Sequence, residues 1–210
     1  SRAHMARNWA AESAAIAGRG YYRIHKEYAN DGDFDQDITI KRILNQSSVY
    51  LDPFAQEPDW SDGERALVTE DVPLDRFKTR YPESTIAGMD ERELSGLSAD
   101  EFTTESDQVP KWVRQDQTVG WVVRVAEYWY VTYEKATLLL YRDENGNELT
   151  GLQEEVGAIP DDQLISKRMV QKRVVDWCLV SSADVLDETR WDGRYIPIVP
   201  VIGNEYNIGG

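Results

Sequence analysis

Carboxylates are the most abundant groups in this chain that could do chemistry, and one stretch concentrates them. In residues 30–37 (NDGDFDQD), Asp31, Asp33, Asp35 and Asp37 recur two apart. Closely spaced carboxylate oxygens suit a hard cation such as Ca²⁺. An EF-hand loop needs oxygens at positions 1, 3 and 5, a glycine at 6 for the sharp turn and a bidentate Glu at 12. Counted from Asp31, position 6 is Gln36 and position 12 is Arg42, so the pattern fails twice. The stretch reads as a solvated turn between strands, and its four aspartates stand only as candidates for weak Ca²⁺ binding. With Asp52, Asp59, Asp62 and Glu64 they form the pool from which a two-metal nuclease site would have to be built. All of these occur in turn contexts that favour aspartate anyway.

Other reactive side chains are scarce. The histidines are His4 and His25, and the one cysteine is Cys178, inside an apolar run. A catalytic thiol wants a nearby histidine, and a single cysteine cannot close an internal disulfide. His25 lies in an alternating tyrosine-rich strand and reads as a packing or surface residue. The chain contains no P-loop, no GxGxxG, no HExxH, no GxSxG and no paired CxxC. No catalytic residue, cofactor or defined metal site is assigned.

Two charged features remain. Glu127 falls on the otherwise apolar side of an alternating run, where an unpaired carboxylate is costly. It is expected to be a buried structural acid, ion-paired with Arg124, Lys135 or a cation of residues 167–173. Lys167, Arg168, Lys172 and Arg173 form the densest basic cluster and stand as the candidate interaction residues.

The elements that would position these groups are mostly strands. Residues 121–133 alternate Trp121, Val123, Val125, Glu127, Trp129, Val131, Tyr133 against Val122, Arg124, Ala126, Tyr128, Tyr130, Thr132, the period of a strand with one nearly apolar face. A break is expected at 133–135, then a second run at 137–141 and a two-residue hairpin turn at Asn145-Gly146. Further strands are expected at 21–28, 38–43, 49–52, 64–70, 169–180 and 195–202. Pro197 and Pro200 confine the last of these to an edge or to a path between domains. A helix is expected at 6–17, with Trp9 and Ile16 on one face and Gly18 as its stop. Another is expected at 74–81, with Leu74, Phe77 and Tyr81 on one stripe and Pro82 ending it. Residues 83–108 read as a long acidic excursion with short helical turns at 90–94 and 99–102, and residues 160–166 as a short helix. Turns are expected at 45–48, 57–63 and 187–193. The fold class is α+β, mainly antiparallel sheet with a few flanking helices.

The totals bound the class. The chain has 210 residues and is 41% hydrophobic and 29% charged, enough for a real core. No apolar run is long enough for a membrane span. Residues 1–5 (SRAHM) read as an expression-tag remnant, and the run at 195–202 followed by a bare end suggests a piece of a longer protein. The formal net charge is −15, so the general surface should not grip DNA phosphates. A carboxylate-dependent metal enzyme and a carbohydrate- or ligand-binding β module, the latter suited to seven Trp and eleven Tyr, are the readings that remain from residue types alone.

An ordered set of segments carries a resemblance. GRGYYRIHKEY after an alanine-rich helix, FDQDITIKRILNQSSVYLDPFAQEPDWSD, the Phe77-Lys78 to Tyr81-Pro82 segment, VVRVAEYWY and WDGRYIPIVPVIGNE resemble portal proteins of tailed double-stranded DNA bacteriophages, nearest to those of short-tailed enteric phages. The resemblance spans residues 6–205. It implies a non-catalytic ring subunit, usually one of twelve, at one capsid vertex of the virion. The ring would be the channel for DNA packaging and ejection, with terminase, scaffold and tail or adaptor proteins as partners. Duplex DNA would pass without sequence-specific binding, and no membrane is involved. By that resemblance residues 6–160 correspond to a wing-like domain and 161–210 to a strand-rich segment leading toward stem and clip. The long channel helix that follows in such proteins is not in this sequence. The piece alone is therefore expected as a monomer.

Overall fold

The computed structural model describes residues 2–30, 32, 34–98, 112–143 and 146–203. It is α+β, with two antiparallel sheets and short flanking helices. The first helix, α1 (Arg2–Ala17), stops where Gly18 takes φ +82° and donates its amide to Ala14 O at 2.9 Å. It begins at Arg2, so residues 2–5 belong to the helix. Its packing face also differs from the expected one. Ala6, Ala10 and Ala14 are buried, Ile16 is 88% exposed, and Trp9 lies at the rim with its indole N–H on Ile43 O at 3.0 Å. Close approach is the reason. A Cβ on Gly20 would collide with the carbonyl of Ala10, and one on Gly203 with that of Ala14. Only an alanine stripe lets helix and strand backbones meet that closely, and larger side chains at those positions would hold them apart.

The smaller sheet has the order β10-β1-β2, formed by β1 (Arg19–Tyr28), β2 (Gln36–Arg42) and β10 (Ile198–Ile202). Pro200 sits opposite Tyr21 on the edge strand β10, the position open to a residue without an N–H. The larger sheet has seven strands. Its main path runs β3 (Val49–Leu51), β4 (Arg65–Pro73), β6 (Gly120–Arg142), β8 (Leu164–Val180) and β9 (Val185–Trp191). Strands β5 (Val113–Asp116) and β7 (Glu148–Leu152) also pair with β6.

Four local expectations are corrected here. No break occurs near Tyr133: β6 is one strand of 23 residues. The ladder to β8 runs unbroken from Ala126↔Val180 to Leu140↔Ser166, through Glu134↔Lys172 and Lys135↔Gln171. Backbone pairing carries the strand through a polar stretch that side-chain pattern alone would end. The following connection is longer than the two-residue turn expected at Asn145-Gly146, of which Asn145 lies outside the described residues: strand pairing stops at Arg142↔Glu148, and Asp143 N donates to Asn147 O at 2.9 Å. Residues 160–166 form one turn, Gln163 N to Pro160 O at 3.0 Å, and then enter β8. The short helix in this region is instead α5 (Gln153–Val156). Residues 187–191, expected as turn, belong to β9.

Three helices follow β4: α2 (Leu74–Arg80), α3 (Thr85–Gly88) and α4 (Glu91–Ser98). The helical turn expected at 90–94 falls in α4, and the one at 99–102 lies outside the described residues. Phe77, Ile86 and Leu94 bury fully from these three helices. The core has two parts. One joins Tyr21, Ile43, Val49, Ala66, Val68, Trp129, Val175 and Ile198. The other joins Val72, Phe77, Ile86, Leu94, Val113, Val123, Val125 and Leu179. Side chains two apart share a strand face, so Val123, Val125 and Trp129 lie on the same side of β6, as do Val175 and Leu179 on β8. The cores are end to end along one face of the large sheet. The small sheet covers one end and helices α2 to α4 cover the other.

Candidate functional site

Between the two cores runs a seam, and Glu127 sits in it. On β6 it lies between Val125 of one core and Trp129 of the other. Its neighbour across β4 is Val68. A cleft of about 610 Å³ opens here, lined by Arg23, Glu70, Tyr81, Glu127, Trp177 and Asp187 among others. Glu127 is 23% exposed, as is its partner, Arg23 of β1. Arg23 forks onto the carboxylate, with Nη1 to Oε1 at 3.0 Å and Nη2 to Oε2. The partner is therefore none of Arg124, Lys135 or the 167–173 cations. Arg124 is held by Asp71 through Nε at 2.8 Å and Nη2 at 3.1 Å. Arg114 joins the same carboxylate at 2.8 Å, and the Arg124 hydrogen bond leads the causes that hold Asp71 below the usual carboxylate range. The Arg23–Glu127 pair ties the small sheet to the large one across 104 positions of sequence. No local signal joins those two residues. The only hint is that Arg23, like Glu127, is a charged residue inside an alternating strand.

Only part of the acidic turn lies among the described residues. Asp31 and Asp33 lie outside the described residues. The carbonyl of Asp35 accepts from Ala29 N at 2.8 Å, and Asp37 is in β2 opposite Glu27. Among the described residues no group of three or more His, Cys, Asp or Glu side chains is placed to hold a metal ion. The second carboxylate pool is spent on its own loop. Asp52 accepts from Glu64 N at 2.9 Å and Phe54 N at 3.0 Å, bonds that hold it below its ordinary value. Asp62 accepts from Gln56 N at 2.6 Å and Glu57 N at 3.2 Å, and Asp59 from Ser61 N at 3.0 Å. Glu64 accepts from the Tyr133 hydroxyl at 2.9 Å.

His25 is pushed below its ordinary pKa, first by burial and then by the charges of Lys41 and Arg23. The Cys178 thiol is pushed up by burial and by Glu188, so it is a poor thiolate. A further acid that the sequence did not single out, Asp184, accepts from Ser84 Oγ at 2.8 Å, Thr85 N at 2.8 Å and Thr85 Oγ1 at 2.7 Å. It fastens the start of α3 to the β8–β9 turn. Those bonds, the Thr85 hydroxyl's first, lower its pKa.

The basic cluster lies on β8, where alternation divides it between two faces: Lys167 and Arg173 on one, Arg168 and Lys172 on the other. Arg173 is committed to the body. It donates to Ser61 O at 2.9 Å and Gly63 O at 2.5 Å and lies over the Tyr195 ring. Lys172 reaches Glu155 at 3.5 Å. Lys167 and Arg168 are exposed and have no partner among the described residues.

A family model, "Phage P22-like portal protein", matches residues 1–210, the whole chain. The chain belongs to the P22-like phage portal proteins. The resemblance read from the ordered segments and the family match agree. Portal proteins of this family are structural components of the virion rather than enzymes. No described helix is long and apolar enough to cross a membrane.

Proposed function

We propose that this chain is the wing-like region of a portal subunit, with residues 161–210 leading toward the stem and clip. Subunits assemble as a ring, usually of twelve, at one capsid vertex. The ring is the channel through which DNA is packaged and later ejected. Terminase, scaffold and tail or adaptor proteins dock on it, and the terminase supplies the chemistry of packaging. The observation that carries this reading is the family match along the entire chain.

The charge supports the same role. A conduit must let duplex DNA slide, and each phosphate neutralised by Lys or Arg adds a salt-sensitive grip. A net charge of −15 opposes such a grip over the general surface. The acidic turn at 31–37 and the cations at 167–173 are, on this reading, surface features of a ring subunit rather than parts of a reaction centre.

The test is electron microscopy of the complete portal subunit carrying this sequence, beside the 210-residue chain alone. Rings with a central channel from the complete subunit and monomers from the chain are the expected result. A complete subunit that forms no ring, at any concentration or with scaffold present, would overturn the portal reading.

A further inference from the structure

Strands β6 and β8 leave the body together. β4 pairs with β6 only as far as Tyr130, and β9 pairs with β8 only from Val175 onward. Beyond these points, residues 134–137 and 169–172 pair with each other and, among the described residues, with no other strand, until β7 joins β6 at Leu138. Among the described residues, no strand pairs with the outer edge of β8 over residues 164–174. An isolated two-stranded ribbon is at best marginally stable in water. An open edge is a template for pairing unless it is charged or covered.

The ribbon's charge is opposite to that of the molecule. Residues 134–141 and 164–173 hold Lys135, Lys167, Arg168, Lys172 and Arg173 against the single carboxylate Glu134, in a chain of net charge −15. Glu134 is taken by Arg190 at 2.7 Å. Beside Lys167 and Arg168, which have no partner among the described residues, Met169 is 67% exposed. The exposed edge of β8 is thus basic and partly apolar on an acidic body, while the connection between the two strands carries Glu148, Glu154 and Glu155.

We infer that this ribbon docks on the acidic surface of a second copy of the chain, with Lys167 and Arg168 making the charged contacts and Met169 an apolar one. The inference rests on the portal reading for the ring it would help to build. Charge complementarity selects the occupant. The chain's own surface is strongly acidic, and in a ring it is present at every neighbouring position. A contact between two different surfaces of identical chains is also the kind that generates rings. Duplex DNA is the poorer occupant, because the surrounding charge repels phosphate.

The test uses the complete subunit, mixed half light and half ¹⁵N-labelled, assembled and treated with a carbodiimide that joins amines directly to carboxylates. Mixed-isotope links from Lys167 to Asp or Glu are expected in wild-type rings. The K167E/R168E variant is expected to yield about tenfold fewer rings, because reversed charges at a complementary interface repel. K167A/R168A should fall between, and thermal unfolding of both subunits should match wild type. Wild-type ring yield from K167E/R168E, or rings without mixed-isotope links at Lys167, would overturn the inference and leave the portal reading intact. So would persistence of rings with loss only of binding to a 20-base-pair duplex. A wild-type subunit that forms no ring would overturn the portal reading that the inference rests on.

Discussion

The two ends of β6 make one continuous ladder with β8 and live in different surroundings. From Val122 to Trp129 the strand is flanked by β4 on one side and on the other by β5 and then, from Ala126, by β8, and one of its faces spans both cores. Residues 134–142, about 30 Å at roughly 3.4 Å per residue, leave that body as a ribbon with cations along its partner strand. Here Ala136 and Leu139 are buried, with Tyr133 and Met169 exposed. The same backbone hydrogen bonds hold both halves, so they do not explain the difference. Burial on both flanks makes the body half cooperative with the subunit. Residues 134–137 and 169–172, which lack a second flanking strand among the described residues, leave the ribbon free to open by itself, or to find its missing neighbour on another molecule.

Removing the body's anchor should have the largest effect. Phe77 is fully buried where α2 meets the large sheet. Phe77→Ala should cost about 3–5 kcal/mol in denaturant unfolding. A cost below about 1 kcal/mol would mean that helices α2 to α4 are not part of the cooperative body. The seam comes next. Glu127→Gln leaves Arg23 without its carboxylate, and a broken buried pair costs about 3–5 kcal/mol. Both partners are 23% exposed, so solvent screening should reduce the loss to about 1–2 kcal/mol. No change in urea unfolding would show that the two sheets hold together without the pair.

The pH response should be smaller. Asp52 and Asp71 are held below their ordinary value of 3.8, the first by loop amides and the second by Arg124 and Arg114. Carboxylates with depressed folded pKa values contribute their full stabilisation above the unfolded value and lose it as pH falls through the folded one. Stability should therefore be flat from neutrality to about pH 5 and fall below about pH 4. Asp71→Asn should lower stability at pH 7 and flatten the fall below pH 4, read by urea unfolding across that range. Equal slopes for the two proteins would remove Asp71 from the account. The smallest global effect is expected in the ribbon. Leu139→Ala truncates a buried leucine, yet should cost below about 1 kcal/mol in global unfolding, because the ribbon can open locally first. A cost of about 3 kcal/mol would erase the distinction between the two halves.

Much of the body was legible in the sequence. Period-two alternation marked β1, β2 and β6, a long apolar run marked β8, Pro200 marked an edge strand, and Leu74, Phe77 and Tyr81 marked α2. The misreadings share a cause. Tyr133-Glu134-Lys135 looked like a break because alternation reports burial, and this stretch is exposed while its backbone remains paired. Helix α1 packs through alanines against glycine, an approach that hydrophobic stripes do not reveal. Glu127 stood out as a carboxylate among apolar residues, but its partner came from another sheet, which no local spacing could name. The basic cluster was visible as composition. Its division between two strand faces, with Arg173 tied to the 61–63 loop, needed the ladder.

Hydrogen–deuterium exchange of the complete subunit, as monomer and as ring, tests the division of β6 most directly. In the monomer, the amides of residues 132–137 and 165–174 should exchange quickly while those of 122–130 stay protected. In the ring, the ribbon amides should slow by about tenfold or more, as expected when a locally opening segment is covered, with the body unchanged. Ribbon amides that exchange alike in both states, or that are as protected as the body in the monomer, would contradict the account.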